Sequence, residues 1–138
     1  MFSIGALSRE TGVKIPTIRY YEDMGLLAAV ERTQGNQRRY GRAELERLGF
    51  IRHARDLGFS IEAIRSLIDL NTHPDRPCAE AGALARDQLG DVREKITRLQ
   101  RLEVELARIA KGCNGSGPAG ECYVLSSLAD HGKCGSEH

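Results

Sequence analysis

The feature that most constrains this chain is an apolar stripe with helical spacing between residues 78 and 111. Its positions lie 3, 4, 3, 3, 4 and 3 residues apart, the heptad spacing of a coiled coil with one residue skipped. They are Leu89, Val92, Ile96, Leu99, Leu102, Leu106 and Ile109. A helix of this length spans about 50 Å at 1.5 Å per residue, so a small domain cannot cover the whole stripe. We therefore predict a homodimer in which a second copy covers it, the alternative being a stripe that folds back on the chain's own helices.

Two short helices are predicted at the start of the chain. The first covers residues 3–11, with Ser3 as its N-cap and Gly12 as its stop. The second covers residues 15–24 and carries Pro16 in its first turn. Two short helices joined by a tight turn predict a helix-turn-helix.

A hairpin and two more helices follow. Residues 31–40 hold Gly35 and Asn36 between polar flanks, which indicates a hairpin, or wing. A third helix is expected at residues 43–57, and Ser60 caps a fourth. Residues 1–70 therefore predict a winged helix-turn-helix domain.

The remainder divides at a linker. Residues 71–77 contain two prolines and connect the first domain to the predicted dimerisation helix, residues 78–111. Residues 112–138 form a loop and tail, with one more short helix expected at residues 123–130. The predicted fold class is mainly α: a winged helix-turn-helix, a long antiparallel coiled-coil helix and a short C-terminal loop and helix whose cysteines suit metal binding.

Charge and motifs narrow the function classes. The net charge is only +1, but the first half of the chain concentrates arginines. They are Arg19, Arg32, Arg38, Arg39 and Arg42, and such a local basic patch favours DNA. No apolar run of transmembrane length and no signal peptide is visible, so we expect a cytoplasmic protein with no membrane partner. No nucleophile–base set or phosphate loop is visible either, so we do not expect an enzyme.

Four cysteines, all in the second half, suggest metal ligation. Thiols stay reduced in the cytoplasm, where they act as ligands or redox groups. Cys78 stands at the start of the long helix, while Cys113 and Cys122 flank the loop after its end. An antiparallel dimer would bring Cys78 of one subunit beside Cys113 and Cys122 of the other. Three thiolates suit a soft ion such as mercury, lead, cadmium or zinc.

The C-terminal tail offers further donors. His131, Cys134 and His138 could complete a tetrahedral site. The alternative is a frayed polar terminus without a role in metal binding.

Side chains suited to DNA contact lie on the second helix and the hairpin. Arg19 can bond phosphates or guanine, and the hydroxyls of Tyr20 and Tyr21 can anchor to phosphates. Arg38 and Arg39 add positive charge to the predicted wing. The alternative treats the tyrosines as core residues and the arginines as a solvated face.

Five segments together resemble the MerR family of transcription regulators. They are IGALS at residues 4–8, TIRYYE at 17–22, GLL at 25–27, RRY at 38–40 and FIRHARDLGFS at 50–60. The resemblance implies a homodimer on an operator of double-stranded DNA that lies between promoter elements set too far apart. Metal binding then untwists and bends the DNA so that RNA polymerase engages both elements. By the same resemblance, the DNA-contacting residues are Arg19, Tyr20, Tyr21, Arg38 and Arg39, with Lys14 and Thr17 as candidates for base contact.

The resemblance also bears on the metal, and it implies the same sharing of ligands between subunits. Members that sense monovalent copper, silver or gold carry Ser at the position of Cys78, so a divalent ion is expected here. Zinc-type members have a second cysteine directly after the first loop cysteine and a histidine in the loop, whereas this chain has Asn114 and no loop histidine. The DVREK run at residues 91–95 and the spacing of the loop cysteines are most similar to the mercury branch, although lead sensors share the spacing.

The predicted function is therefore a metal-responsive regulator that represses without metal and activates a metal-resistance promoter when a divalent soft ion binds. Two alternatives stay open at this point. One is a regulator of the same fold whose thiols sense redox state. The other is a metal-buffering protein in which DNA binding has been lost.

Overall fold

A computed structural model describes residues 1–130 of the chain. It divides into two compact units, one of residues 1–85 and one that begins at Arg86. Helices and strands run in the order β1 (Phe2–Ser3), α1 (Ile4–Thr11), α2 (Ile15–Asp23), β2 (Glu31–Arg32), β3 (Arg38–Tyr40), α3 (Arg42–Asp56), α4 (Ile61–Asn71), α5 (Ala79–Lys111) and α6 (Tyr123–Ala129).

The helix-turn-helix is confirmed, with the caps expected from the sequence. The Ser3 hydroxyl accepts the N–H of Ala6 at 3.1 Å and begins α1. Gly12 ends it in the left-handed conformation, at φ 74°, and donates its N–H to the Ser8 carbonyl at 2.8 Å. Pro16 lies in the first turn of α2, where its missing N–H costs no helical hydrogen bond.

The two following helices also begin at side-chain caps. At the start of α3 the Glu44 carboxylate accepts the N–H of Gly41 at 2.9 Å. At the start of α4 the Ser60 hydroxyl accepts the N–H of Ala63 at 3.1 Å. Both predicted helices are confirmed, and α3 begins and ends one residue earlier than expected.

The wing hairpin is confirmed, and it belongs to a three-stranded sheet. Strands β2 and β3 pair through a turn in which Asn36 takes a positive φ of 64°. The sequence pattern did not predict β1, which pairs antiparallel with β3 and sets Phe2 opposite Tyr40. The strand order is β1-β3-β2, so the strand bearing the wing arginines lies in the centre.

One apolar core holds the N-terminal unit together. Helix α1 packs against α2 and α3, and α3 packs against α4. The buried residues are Leu7, Val13, Ile18, Tyr21, Leu26, Leu27, Tyr40, Leu48, Ile51, Ala54 and Ile64. Because α2 and β3 both contribute side chains to this core, the core fixes the wing relative to α2.

The long helix α5 leaves most of its stripe exposed in a single chain. Its exposed members are between 37% and 62% accessible: Leu89, Val92, Ile96, Leu99 and Leu106. Ile109 differs, because it is only 7% exposed and is already buried within its own chain. The described residues of a single chain therefore leave these five side chains uncovered. No helix within residues 1–130 is long and apolar enough to cross a membrane.

We predict that Gly12→Ala lowers the free energy of unfolding by about 1–2 kcal/mol, because an L side chain is strained at a positive φ. An added Cβ would also overlap the guanidinium of Arg52, which donates to the Thr11 carbonyl at the end of α1. Urea denaturation measures the change. The control is Gly49→Ala in α3, where no atom lies within 4 Å of the new Cβ. It should raise stability by roughly 0.5–1 kcal/mol, because alanine favours a helix interior. Equal effects of both variants would contradict the assigned role of Gly12.

Candidate DNA-binding surface and metal centre

Helix α2 divides its side chains between the core and the surface. Ile18 and Tyr21 are buried, whereas Arg19 is exposed and Tyr20 is 48% exposed. The neighbouring tyrosine rings lie 5.9 Å apart between centroids. The exposed face therefore carries a cation and a phenol in the position that a helix-turn-helix offers to DNA.

The other predicted DNA contacts differ in their surroundings. Lys14 is exposed and Thr17 half-buried, both near the start of α2. The ring of Tyr21 belongs to the core, so a role of this residue at DNA would depend on its hydroxyl group. Arg39 is half-buried on β3. Contact of these residues with DNA stays a prediction.

The Glu22 carboxylate, which the sequence pattern did not single out, connects the wing to α2. Glu22 Oε2 lies 3.1 Å from Nε of Arg38, and its other oxygen accepts the hydroxyl of Tyr40. Arg38 is therefore already paired within the chain. An acidic residue in α2 is the only sign of this contact in the sequence, because Glu22 lies 16 positions before Arg38 and 18 before Tyr40.

This contact has an electrostatic signature at Tyr40. Burial raises the pKa of the Tyr40 hydroxyl far above its usual range, and the hydrogen bond and negative charge of Glu22 raise it further. The neutral phenol is thus the form that the fold stabilises. Its hydrogen bond to Glu22 fixes strand β3 to helix α2.

Two of the predicted metal ligands lie together. Cys113 follows the end of α5, Cys122 directly precedes α6, and their sulfurs are 4.0 Å apart. A zinc–thiolate bond is about 2.3 Å long, so two sulfurs at this separation can both bind one ion. The turn Ala119–Glu121 brings the chain back from the loop to Cys122.

The environment of Cys122 favours a thiolate. A hydrogen bond from the Leu125 backbone N–H lowers the pKa of the Cys122 thiol below its usual value. The Val124 N–H and the Cys113 thiol act in the same direction, while partial desolvation opposes them. A thiolate is the form that binds metals.

The third predicted ligand, Cys78, lies in the N-terminal unit. It is exposed, and its carbonyl accepts the N–H of Gly82 at 3.0 Å at the start of α5. Within residues 1–130 no three His, Cys, Asp or Glu side chains are grouped as a metal site. Among the described residues, the observed contact between predicted cysteine ligands is the one between Cys113 and Cys122. The additional candidates His131, Cys134 and His138 lie outside the described residues.

Two family models match the chain over most of its length. They are described as "MerR HTH family regulatory protein", which matches residues 2–70, and "MerR, DNA binding", which matches residues 45–109. The chain belongs to the MerR family.

Transcription regulators, one of them named for mercuric resistance, are among its relatives. The mercuric resistance operon regulatory protein of Serratia marcescens is 38% identical over 128 residues, covering 91% of this chain and 86% of the relative. The transcriptional regulator ZntR of Escherichia coli K12 is 37% identical over 130 residues, covering 93% and 92%. The crystal structure of PbrR691 from Ralstonia metallidurans CH34 in complex with lead(II) superimposes with a TM-score of 0.77 at 36% identity, covering 93% of this chain and 99% of that one.

We predict that Tyr40→Phe lowers the free energy of unfolding by about 1.5–3 kcal/mol at neutral pH, since it removes a buried hydrogen bond to a charged group. In the unfolded chain the Tyr40 hydroxyl loses its proton near its ordinary pKa of 10.0, but the folded protein retains it. The stability of the unmodified protein should therefore fall as the pH rises above about 10, and it should fall less in the variant. Tyr20→Phe is the control, because that side chain is exposed. Parallel pH profiles for Tyr40→Phe and the unmodified protein would contradict this assignment.

Proposed function

We propose that this MerR-family protein is a metal-responsive transcription regulator that binds operator DNA as a homodimer. It represses without metal and activates a metal-resistance promoter when a divalent soft ion binds. Each ion is held by Cys78 of one subunit and by Cys113 and Cys122 of the other. The observation that carries the proposal is the 4.0 Å separation of the two loop sulfurs, in a chain whose other unit is a helix-turn-helix.

The dimer follows from the exposed stripe of α5. Burying a leucine-sized side chain contributes roughly 1.5–3 kcal/mol, and five such residues are exposed in the single chain. A second α5 offers the same stripe in return, as a two-fold symmetric interface requires. If the two helices run antiparallel, the start of each lies near the end of the other. This arrangement would supply Cys78 to the thiol pair of the partner subunit.

The donor set supports a soft divalent ion. Thiolates bind mercury, lead, cadmium and zinc strongly, and hard ions such as magnesium weakly. The relative from Serratia marcescens is named for mercuric resistance, and the PbrR691 structure contains lead. Residues 114–121 contain neither cysteine nor histidine, so the loop adds no thiolate or imidazole of its own to Cys113 and Cys122. This favours an ion that three thiolates satisfy.

The switch acts through the shape of the DNA. Exposed Arg19 and Tyr20 contact the operator, and the ion pair between Glu22 and Arg38 holds the wing beside α2. Metal binding at the ends of the paired α5 helices changes the arrangement of the two DNA-binding units. The resulting bend and untwisting of the DNA align the promoter elements for RNA polymerase. Deforming the DNA costs free energy, which binding of the metal-bound dimer offsets.

DNA binding is tested by Arg19→Ala, which should weaken operator affinity and lower the slope of log affinity against log salt by about one. A fluorescence anisotropy titration at several salt concentrations measures both. Arg98→Ala removes an equivalent exposed charge from α5 and should leave the slope unchanged. If Arg19→Ala keeps the affinity and slope of the unmodified protein, the reading surface has been misplaced.

Metal sensing is tested by reporter induction across a panel of metal salts. Cys78→Ser, Cys113→Ser and Cys122→Ser should each abolish the response to divalent soft ions, because a hydroxyl is a poor ligand for them. Repression should persist, since it requires no metal. Cys134→Ser is the comparison variant and should shift the sensitivity without abolishing induction. Induction by a thiol oxidant such as diamide, without any response to metals, would instead support the redox alternative.

A further inference from the structure

The two loop cysteines are flanked by residues that contact each other directly. Gly112 immediately precedes Cys113, and Tyr123 immediately follows Cys122. A Cβ atom added to Gly112 would lie 2.5 Å from Cγ and 2.6 Å from Cε1 of the Tyr123 ring. The ring therefore occupies the space that any other residue at position 112 would need for its side chain.

Backbone conformation does not explain this glycine. Gly115 and Gly117 in the same loop have positive φ angles of 77° and 87°, which favour glycine. Gly112 does not take a positive φ. Its missing side chain is required by the contact with the tyrosine ring.

The tyrosine is anchored to α5 by a half-buried ion pair. Arg108 donates one N–H to the Tyr123 hydroxyl and places another nitrogen 2.9 Å from the Glu105 carboxylate. Glu105 is only 6% exposed and Arg108 is half-buried, so the pair lies partly shielded from water at the end of the helix. The ring is thus held at its face by Gly112 and at its hydroxyl by Arg108.

The backbone N–H groups of the loop donate to nearby acceptors. The Asn114 side chain accepts the N–H of Ser116 at 3.0 Å. Glu121 and Cys122 donate to carbonyls three residues earlier. These bonds shape short turns. The two ends of the loop are joined by the contact between the Cys113 and Cys122 sulfurs, which lie 4.0 Å apart, and by the ring contact between Gly112 and Tyr123.

We propose that Gly112 and Tyr123 form a clasp, anchored by Arg108, that sets the separation of the Cys113 and Cys122 sulfurs and so determines the metal affinity of the loop. Both are positioning residues, because they act on the ion through the neighbouring cysteines. The inference rests on the proposed function, since it assumes that these thiols bind metal. It adds a determinant of affinity that supplies no donor atom.

The test is a titration of the full-length dimer with cadmium(II), followed by thiolate-to-metal charge-transfer absorption and by competition with a chelator. Gly112→Ala should weaken cadmium binding by about 10- to 100-fold, as loss of groups that orient metal ligands commonly does. Gly120→Ala is the matched control in the same loop, because no atom lies within 4 Å of its new Cβ. It should bind cadmium as the unmodified protein does.

A double-mutant cycle shows whether the ring is the cause. Tyr123→Ala should also weaken binding, but adding Gly112→Ala to it should have no further effect, since the ring that the new Cβ would meet is gone. Metal-free operator binding and sedimentation establish that each variant still folds and dimerises. If Gly112→Ala does not fold, Tyr123→Ala alone decides the matter, since it only removes atoms.

Cadmium affinity within about twofold of the unmodified protein in both single variants would overturn the clasp while leaving the metal site intact. So would an equal loss from Gly112→Ala with and without the ring. Cys113→Ser is included in every titration. If it binds cadmium as tightly as the unmodified protein, the proposed function fails and the clasp fails with it.

Discussion

The exposed apolar stripe of α5 is the constraint on which the rest of this account depends. Helix α5 has 33 residues and exposes a row of large apolar side chains to water: Leu89, Val92, Ile96, Leu99 and Leu106. So large an exposed apolar surface favours association with another surface. We propose that a second copy covers the stripe. The pairing would then do more than stabilise the helix, because an antiparallel α5 pair would supply Cys78 to the Cys113 and Cys122 thiols of the partner subunit.

Short-range physical rules made much of the N-terminal unit predictable. The caps at Ser3 and Ser60 and the stop at Gly12 depend on residues three or four positions away, and each lies where the sequence places it. The turn at Asn36 is a similar local signal. The loop cysteines were also placed correctly at the two ends of the last loop, since a helix end and a glycine-rich run define that loop.

Contacts between distant residues could not be predicted in this way. Strand β1 has two residues and forms only because β3 is there to pair with it. Glu22 looks like a solvated acid on a helix, yet it joins Arg38 and Tyr40. In the sequence Gly112 begins a glycine-rich segment, and nothing there indicates that the ring of Tyr123 excludes a side chain at this position. Each of these contacts joins residues that are distant in sequence, so the local sequence pattern does not predict it.

A mixed dimer tests most directly whether the two subunits share the metal ligands. One subunit carries Cys78→Ser, the other carries Cys113→Ser and Cys122→Ser, and different affinity tags allow the mixed species to be purified. Shared ligation predicts one complete three-cysteine site and one site with none, so the mixed dimer should bind half as much cadmium(II) as the unmodified dimer, with the same affinity. If it binds no cadmium tightly while the unmodified dimer does, the three cysteines are not shared across the subunits.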